Sequence, residues 1–398
     1  MPKQDTSIFD PERFITDRLR AIDASGIRRV FDLGAQLKDP INLSIGQPDF
    51  DVPQAVKDAA TAAIEKGLNR YTVTQGNRHL REVIAAHIGE EFPALASGLA
   101  DGSLGTLITS GVSGGLVLAL MTCVAEGDEV LMPDPYFVMY RHLVTLTGAT
   151  PVLVDTYPDF QMTAERIKPC IGPRAKMLLF NSPSNPTGVV ATEQICRDVA
   201  DLAERRGLLL LTDEIYDEFC YEKNERPAGS GRMRCPSPAA ATANLLLLRG
   251  FSKTYAMTGW RMGYAVGPTP IIEQMTKLQQ YSFVCAPSMA QAAGPVALKQ
   301  DMSANVEAYR RKRDRMVERL SGAYELTVPG GAFYAFPRVP PHLGLNATQF
   351  VERAIERNLL IIPGNVFSDR DTHVRVSYAC DDETLERGLD VLLELAEG

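Results

Sequence analysis

The chain has no run of apolar residues long enough to cross a bilayer. Its longest purely aliphatic runs, "LLLL" at 208–211 and again at 245–248, are strand-sized and flanked by polar residues. The N-terminal stretch "MPKQDTSIFDPERFITDRLR" mixes both charge signs and lacks an apolar segment, so no secretory leader is expected. Seven cysteines are scattered without a C-x-x-C pair, which argues against a disulfide framework or a zinc knuckle and fits a reducing, cytoplasmic compartment. The net charge of −8 argues against non-specific nucleic-acid binding. No repeat, low-complexity tract or long linker is visible.

What remains is an ordinary globular composition, 45% apolar and 23% charged, in 398 residues, a length that predicts two domains. Through the middle of the chain, short apolar runs alternate with helical patterns. "TLIT" (106–109), "EVLM" (129–132), "TPVLVD" (150–155), "AKMLLF" (175–180), "GLLLLTDE" (207–214) and "NLLLLRG" (244–250) read as strands. They are continuous rather than alternating, as strands covered on both faces are. Helical segments such as 192–206 and 269–282 separate several of them, so an α/β domain with a mostly parallel sheet is expected. Ligands in such sheets sit at the carboxyl ends of the strands. After about residue 288 long helical stretches, 289–320 and 381–396, bracket the short strand candidates "GAFYAFP", "NLLIIPG" and "HVRVSYA". That change predicts a second, α+β domain packed closely on the first.

"TSGVSGGL" (109–116) admits two readings. It satisfies G-x-S-x-G, the nucleophile elbow of a hydrolase, with Ser113 attacking. It is equally a glycine-rich turn at a helix N-terminus, whose N–H groups hold a phosphate. The decision comes from elsewhere. In "RGFSKTYAMTGWRMGY" (249–264), Lys253 follows an aliphatic strand among small and hydroxylated residues, where partial desolvation would depress its pKa and permit Schiff-base chemistry. Arg261 stands eight residues on. In "LLLLTDEIYDEF" (208–219), Asp213 ends a buried strand, costly for a carboxylate without a cationic or hydrogen-bonding partner, and Tyr216 follows. A helix N-cap is the plainer role for Asp213. In "NSPSNPTG" (181–188), Asn185 either presents its amide to a ligand or makes a turn.

Together these segments closely resemble the class I/II, fold-type-I aminotransferases that depend on pyridoxal 5'-phosphate, aspartate aminotransferases in particular. The likeness runs from "INLSIGQPDFDVP" (41–53) to "HVRVSYA" (373–379), and its most specific parts are S-K-x-x-x-M-x-G-W-R-x-G-Y and N-P-T-G. The resemblance implies a mostly parallel central sheet with helices on both faces in a large cofactor-binding domain (47–288). A smaller α+β domain would comprise 1–46 and 289–398. It implies that Lys253 carries the cofactor as a Schiff base and moves the Cα proton. Asp213 would keep the pyridine nitrogen protonated, Tyr216 and Asn185 would bond the ring hydroxyl oxygen, and Tyr136 in "DPYF" would stack on the ring.

The "SGVSGGL" turn then becomes the phosphate cup, with backbone groups near Val112 and Ser113 and the charge of Arg261. Arg375 would hold the substrate α-carboxylate beside Gly46, and Tyr71 would reach the phosphate of a neighbouring subunit in a homodimer with shared sites. Gly250 departs from relatives that carry a phosphate-binding serine three residues before the lysine, while Ser252 is adjacent to it.

The function so implied is transfer of an amino group from an L-amino acid, aspartate or another common one, to a 2-oxo acid such as 2-oxoglutarate. Ile27 and the "QQYSFVCAPS" loop, with Tyr281 and Phe283, would neighbour the substrate side chain. A C–S β-lyase on the same cofactor is the alternative, since the fold does not determine the fate of the carbanion. The hydrolase reading is remote, because His342 and His373 lie in no recognisable triad context and it leaves Lys253 unexplained. A cofactor-sensing regulator would need an added DNA-binding module, for which 1–45 is too short.

Overall fold

The structure, a computed structural model, describes residues 10–24, 26–34, 37–221 and 234–398. The start of the N-terminal stretch, residues 1–9, lies outside them. Twelve strands are present among the described residues: β1 Ile41–Asn42, β2 Leu104–Thr109, β3 Glu129–Asp134, β4 Thr150–Asp155, β5 Ala175–Asn181, β6 Leu209–Asp213, β7 Leu245–Gly250, β8 Gly263–Pro268, β9 Tyr334–Ala335, β10 Leu359–Leu360, β11 Ile362–Pro363 and β12 Val374–Ser377. Seven of them form the central sheet in the order β2-β8-β7-β6-β5-β3-β4. The pairings from β7 through β6, β5 and β3 to β4 are parallel, and β8 runs antiparallel to both its neighbours.

The continuous aliphatic runs follow from burial on both faces. Leu178, Phe180, Leu210, Leu245 and Leu247 enter one apolar cluster, while the alternate residues Met177, Leu179, Leu211, Leu246 and Leu248 enter another on the opposite face. Alternation of Cβ direction along a strand makes this division obligatory. The helix Gly111–Cys123 covers the second face with Leu116, Ala119 and Leu120, and Glu193–Arg206 covers the first with Cys196, Val199, Ala200 and Ala203. Thr192 caps the latter helix, and Gly207 in the left-handed conformation ends it.

The helical stretch expected over 289–320 is two helices, Ser288–Ala297 and Ser303–Leu320. Asp301 accepts the N–H of Ser303 and restarts the chain. The first helix buries Ala290, Ala293 and Ala297 in the sheet-side cluster, whereas the second contributes Val306, Tyr309, Met316 and Leu320 to a separate core. That core is shared with Ala347–Glu356, Asp382–Glu397 and the antiparallel sheet β11-β12-β9. "NLLIIPG" serves two sheets: β10 pairs in parallel with β1, and β11 pairs with β12. β1 thereby ties the N-terminal segment to the C-terminal part. No helix among the described residues is long and apolar enough to cross a membrane.

Candidate active site

Three parallel strands, β5, β6 and β7, end side by side, and each delivers polar residues at or just beyond its carboxyl end: Asn181, Asp213, and Ser252 with Lys253. They open onto a cavity of about 460 Å³, within the range of small-molecule sites. Ten of the expected residues line it: Ile27, Gly46, Val112, Ser113, Asn185, Asp213, Tyr216, Lys253, Arg261 and Arg375. They come from segments as distant as 27 and 375.

Lys253 opens onto the cavity and donates from Nζ to the Gly46 carbonyl at 2.5 Å. Burial, reinforced by the positive charges of Arg375 and Arg261, lowers its pKa to about 8. Asp213 is buried, and loss of solvent raises its carboxyl to about 6, opposed by hydrogen bonds from Tyr140 and the Ile215 N–H. Tyr140 Oη donates to Asp213 Oδ2 at 2.8 Å. The cavity therefore holds a lysine amine made less basic and a carboxyl made less acidic.

The helix turn at the cavity is suited to an anion. Val112 and Ser113 stand in the first turn of Gly111–Cys123, which has no side-chain cap, so its leading N–H groups face outward unpartnered by the helix. Gly111 has φ +68°, and a Cβ there would meet Arg261 Nη2 at 2.6 Å. Glycine lets the guanidinium lie directly against the turn, adding its charge to the helix dipole. Arg261 is fixed by donating to the Thr258 carbonyl. A Cβ at Gly250 would stand tightly, 3.0 and 3.1 Å from the Ile215 and Val112 side chains, while Ser252 lines the cavity.

Arg375 forms the third anchor. It is buried, its Nη1 donates to Asn185 Oδ1 at 3.0 Å and its Nη2 to the Ser44 carbonyl at 2.8 Å, and Nε has no partner. A buried guanidinium with an unsatisfied donor suits a carboxylate ligand. Burial lowers its pKa from the usual arginine value.

Four expected residues do not line this cavity: Tyr281 and Phe283 are exposed, and Tyr136 and Tyr71 stand elsewhere. Tyr136 does not reach it: its N–H is held by the Phe367 carbonyl, and its hydroxyl receives Arg141 Nη1 at 3.1 Å. The next residue, Phe137, lines the cavity instead. Tyr71 lies on the surface, 84% exposed, outside the cavity of its own chain. No histidine lines the cavity among the described residues, and His342 and His373 bond elsewhere, which removes the base a Ser113 nucleophile would need.

Sequence reasoning missed Tyr140, Tyr334 and the layer beneath Asp213. There Arg249 donates to Glu214 at 2.8 Å and to Glu91 at 2.8 Å, and Arg234 binds Glu91, Glu218 and His87, all buried or nearly so. "LRG" and "TDE" carry this network in plain view, but the two ends are paired only by the parallel register of β6 and β7.

A family model for aminotransferase class I and II matches residues 38–392. The chain belongs to this family. It is an aminotransferase. The aromatic-amino-acid aminotransferase 2 of Thermococcus litoralis is 35% identical over 94% of this chain and 96% of its own length. The probable aspartate aminotransferase of Methanocaldococcus jannaschii is 34% identical over 96% of this chain and its own full length. Among solved structures, an aspartate aminotransferase from Thermus thermophilus with maleate superposes with TM-score 0.87 at 32% identity, covering 96% of this chain and 99% of that one. This aminotransferase therefore has the fold-type-I architecture.

Proposed function

We propose that this aminotransferase works with pyridoxal 5'-phosphate held through Lys253 and transfers the amino group of an L-amino acid to a 2-oxo acid such as 2-oxoglutarate. The observation that carries the reading is the pairing of a buried carboxyl at Asp213 with a depressed lysine amine in one cavity, between an anion-binding helix turn and a buried arginine. The residues fit the cofactor: Val112, Ser113, Ser252 and Arg261 would hold its phosphate, Phe137 its ring face, Asp213 its nitrogen, and Tyr216 with Asn185 its hydroxyl oxygen. Bound there, pyridoxal supplies an electron sink conjugated to the amino acid Cα, which makes the Cα proton removable.

The chain's own groups do the rest. Asp213 holds a proton on the ring nitrogen. Asn185 accepts from Arg375 through Oδ1, which leaves its amide hydrogens to donate. Arg375 binds the α-carboxylate in a bidentate fork and so fixes Cα within reach of Lys253, whose amine near pKa 8 moves the proton between Cα and C4′. Aspartate or another common amino acid is the donor. Relatives named for aspartate and for aromatic amino acids, and a relative solved with maleate, support that range.

The same reading makes the enzyme a cytoplasmic homodimer in which Tyr71 of one protomer reaches the phosphate held by its partner. Tyr71 and Val73, and Tyr281, Phe283 and Val284, are exposed apolar residues of two segments that Gln279 links by donating to the Thr74 carbonyl. A panel of amino donors and 2-oxo acids, followed by half-reaction absorbance changes, tests the function. Conversion of cofactor bands by donor and their recovery by 2-oxo acid supports it; steady release of ammonia and pyruvate from cysteine conjugates without recovery would favour the β-lyase.

A further inference from the structure

We propose that Tyr334 is a positioning residue that couples the carboxylate end of the cavity to the cofactor end. The inference rests on the cofactor reading above. Strand register places it: Tyr334 in β9 lies opposite Ser377 in β12, and Arg375, two residues along, shares that face. The Arg375 guanidinium sits over the Tyr334 ring at 4.5 Å and over the Phe367 ring at 4.9 Å, held between two aromatic faces. The Tyr334 hydroxyl meets the Tyr216 hydroxyl at 3.0 Å. It also faces Gly46, where a Cβ would stand 2.9 Å from it.

Each phenol has one proton. If Tyr216 donates to the cofactor hydroxyl oxygen, it can only accept from Tyr334, so the direction of the pair is fixed. A donor behind Tyr216 polarises its O–H and strengthens the bond it gives onward. That bond favours the unprotonated Lys253 linkage of the cofactor. One residue thus orients Arg375 with its ring and tunes the cofactor through its hydroxyl.

Two variants separate the roles. Tyr334→Phe keeps the ring under Arg375 and removes the hydroxyl; Tyr334→Leu removes both. The readouts are the pH midpoint of the visible absorbance of the cofactor-loaded protein and the KM for an amino donor. Tyr334→Phe is expected to raise the midpoint by a few tenths of a pH unit, the share that a polarising donor adds to the bond Tyr216 gives onward, with KM close to native. Tyr334→Leu should shift the midpoint likewise and raise KM roughly tenfold, as loss of a desolvated cation–π contact does. A native midpoint in Tyr334→Phe overturns the coupling, and it decides the matter even if the leucine variant does not fold. A native protein with no pH-dependent band and no reducible label on Lys253 would instead defeat the cofactor reading.

Discussion

Tyr140 and Asp213, 73 residues apart in sequence, meet in a 2.8 Å hydrogen bond from phenol to carboxylate, and both side chains are buried. The bond opposes the burial that raises the Asp213 carboxyl. Tyr140→Phe removes it, and a bond to a charged group contributes about 1.5–3 kcal/mol. The kcat should fall by roughly ten- to a hundredfold, with the acidic limb of the kcat–pH profile displaced upward. A merely structural role would lower stability without moving that limb.

Asp213 itself illustrates a site held at the expense of stability. Its carboxyl is raised from 3.8 to about 6 in the cofactor-free fold, so the native state binds the proton more tightly than the unfolded chain. Stability from this group is full below 3.8 and is lost as pH rises through about 6. At neutral pH the ionised, buried group therefore costs on the order of 3 kcal/mol. Asp213→Asn should unfold at higher denaturant than the native protein when both lack cofactor, while losing nearly all transamination. Equal or lower midpoints at pH 8 would contradict the assignment.

Lys253 shifts in the other direction. With a pKa of about 8, lowered from 10.5, the amine is neutral in about one molecule in ten at pH 7. An ordinary lysine would be neutral in roughly one in three thousand. Uptake of cofactor by the apoprotein should accelerate with pH and level off above about 8. Stopped-flow absorbance checks this; a rate still climbing tenfold per unit to pH 10 would show an unperturbed amine.

Much of this was legible in the residues. Leucine runs bounded by polar residues located β5, β6 and β7, because strands buried on both faces cannot alternate. Lys253, Asp213 and Arg375 were legible through motif resemblance. The sequence does not announce β8, since "GYAVGP" begins and ends with residues that signal turns. That Phe137 rather than Tyr136 lines the cavity is not announced by "DPYF", where the two aromatic residues are adjacent. Tyr334 meets Tyr216 across 118 residues, and no local pattern announces such a contact.

The ionic layer beneath the site gives a stability prediction. Arg249 is buried and neutralises Glu91 and Glu214, and against the raising effect of burial it and Arg234 hold Glu91 near pKa 2. Arg249→Met strands those carboxylates and should cost about 3–5 kcal/mol in urea unfolding of the apoprotein. A loss within the range of a surface substitution would show that the network is not formed in solution.

Covalent attachment at Lys253 is tested most directly by borohydride reduction of the cofactor-loaded protein followed by peptide mapping. The expected result is one stable pyridoxyl label, on the peptide containing Lys253, with no label in Lys253→Ala. A label on another lysine, or none in a protein that transaminates, would contradict it.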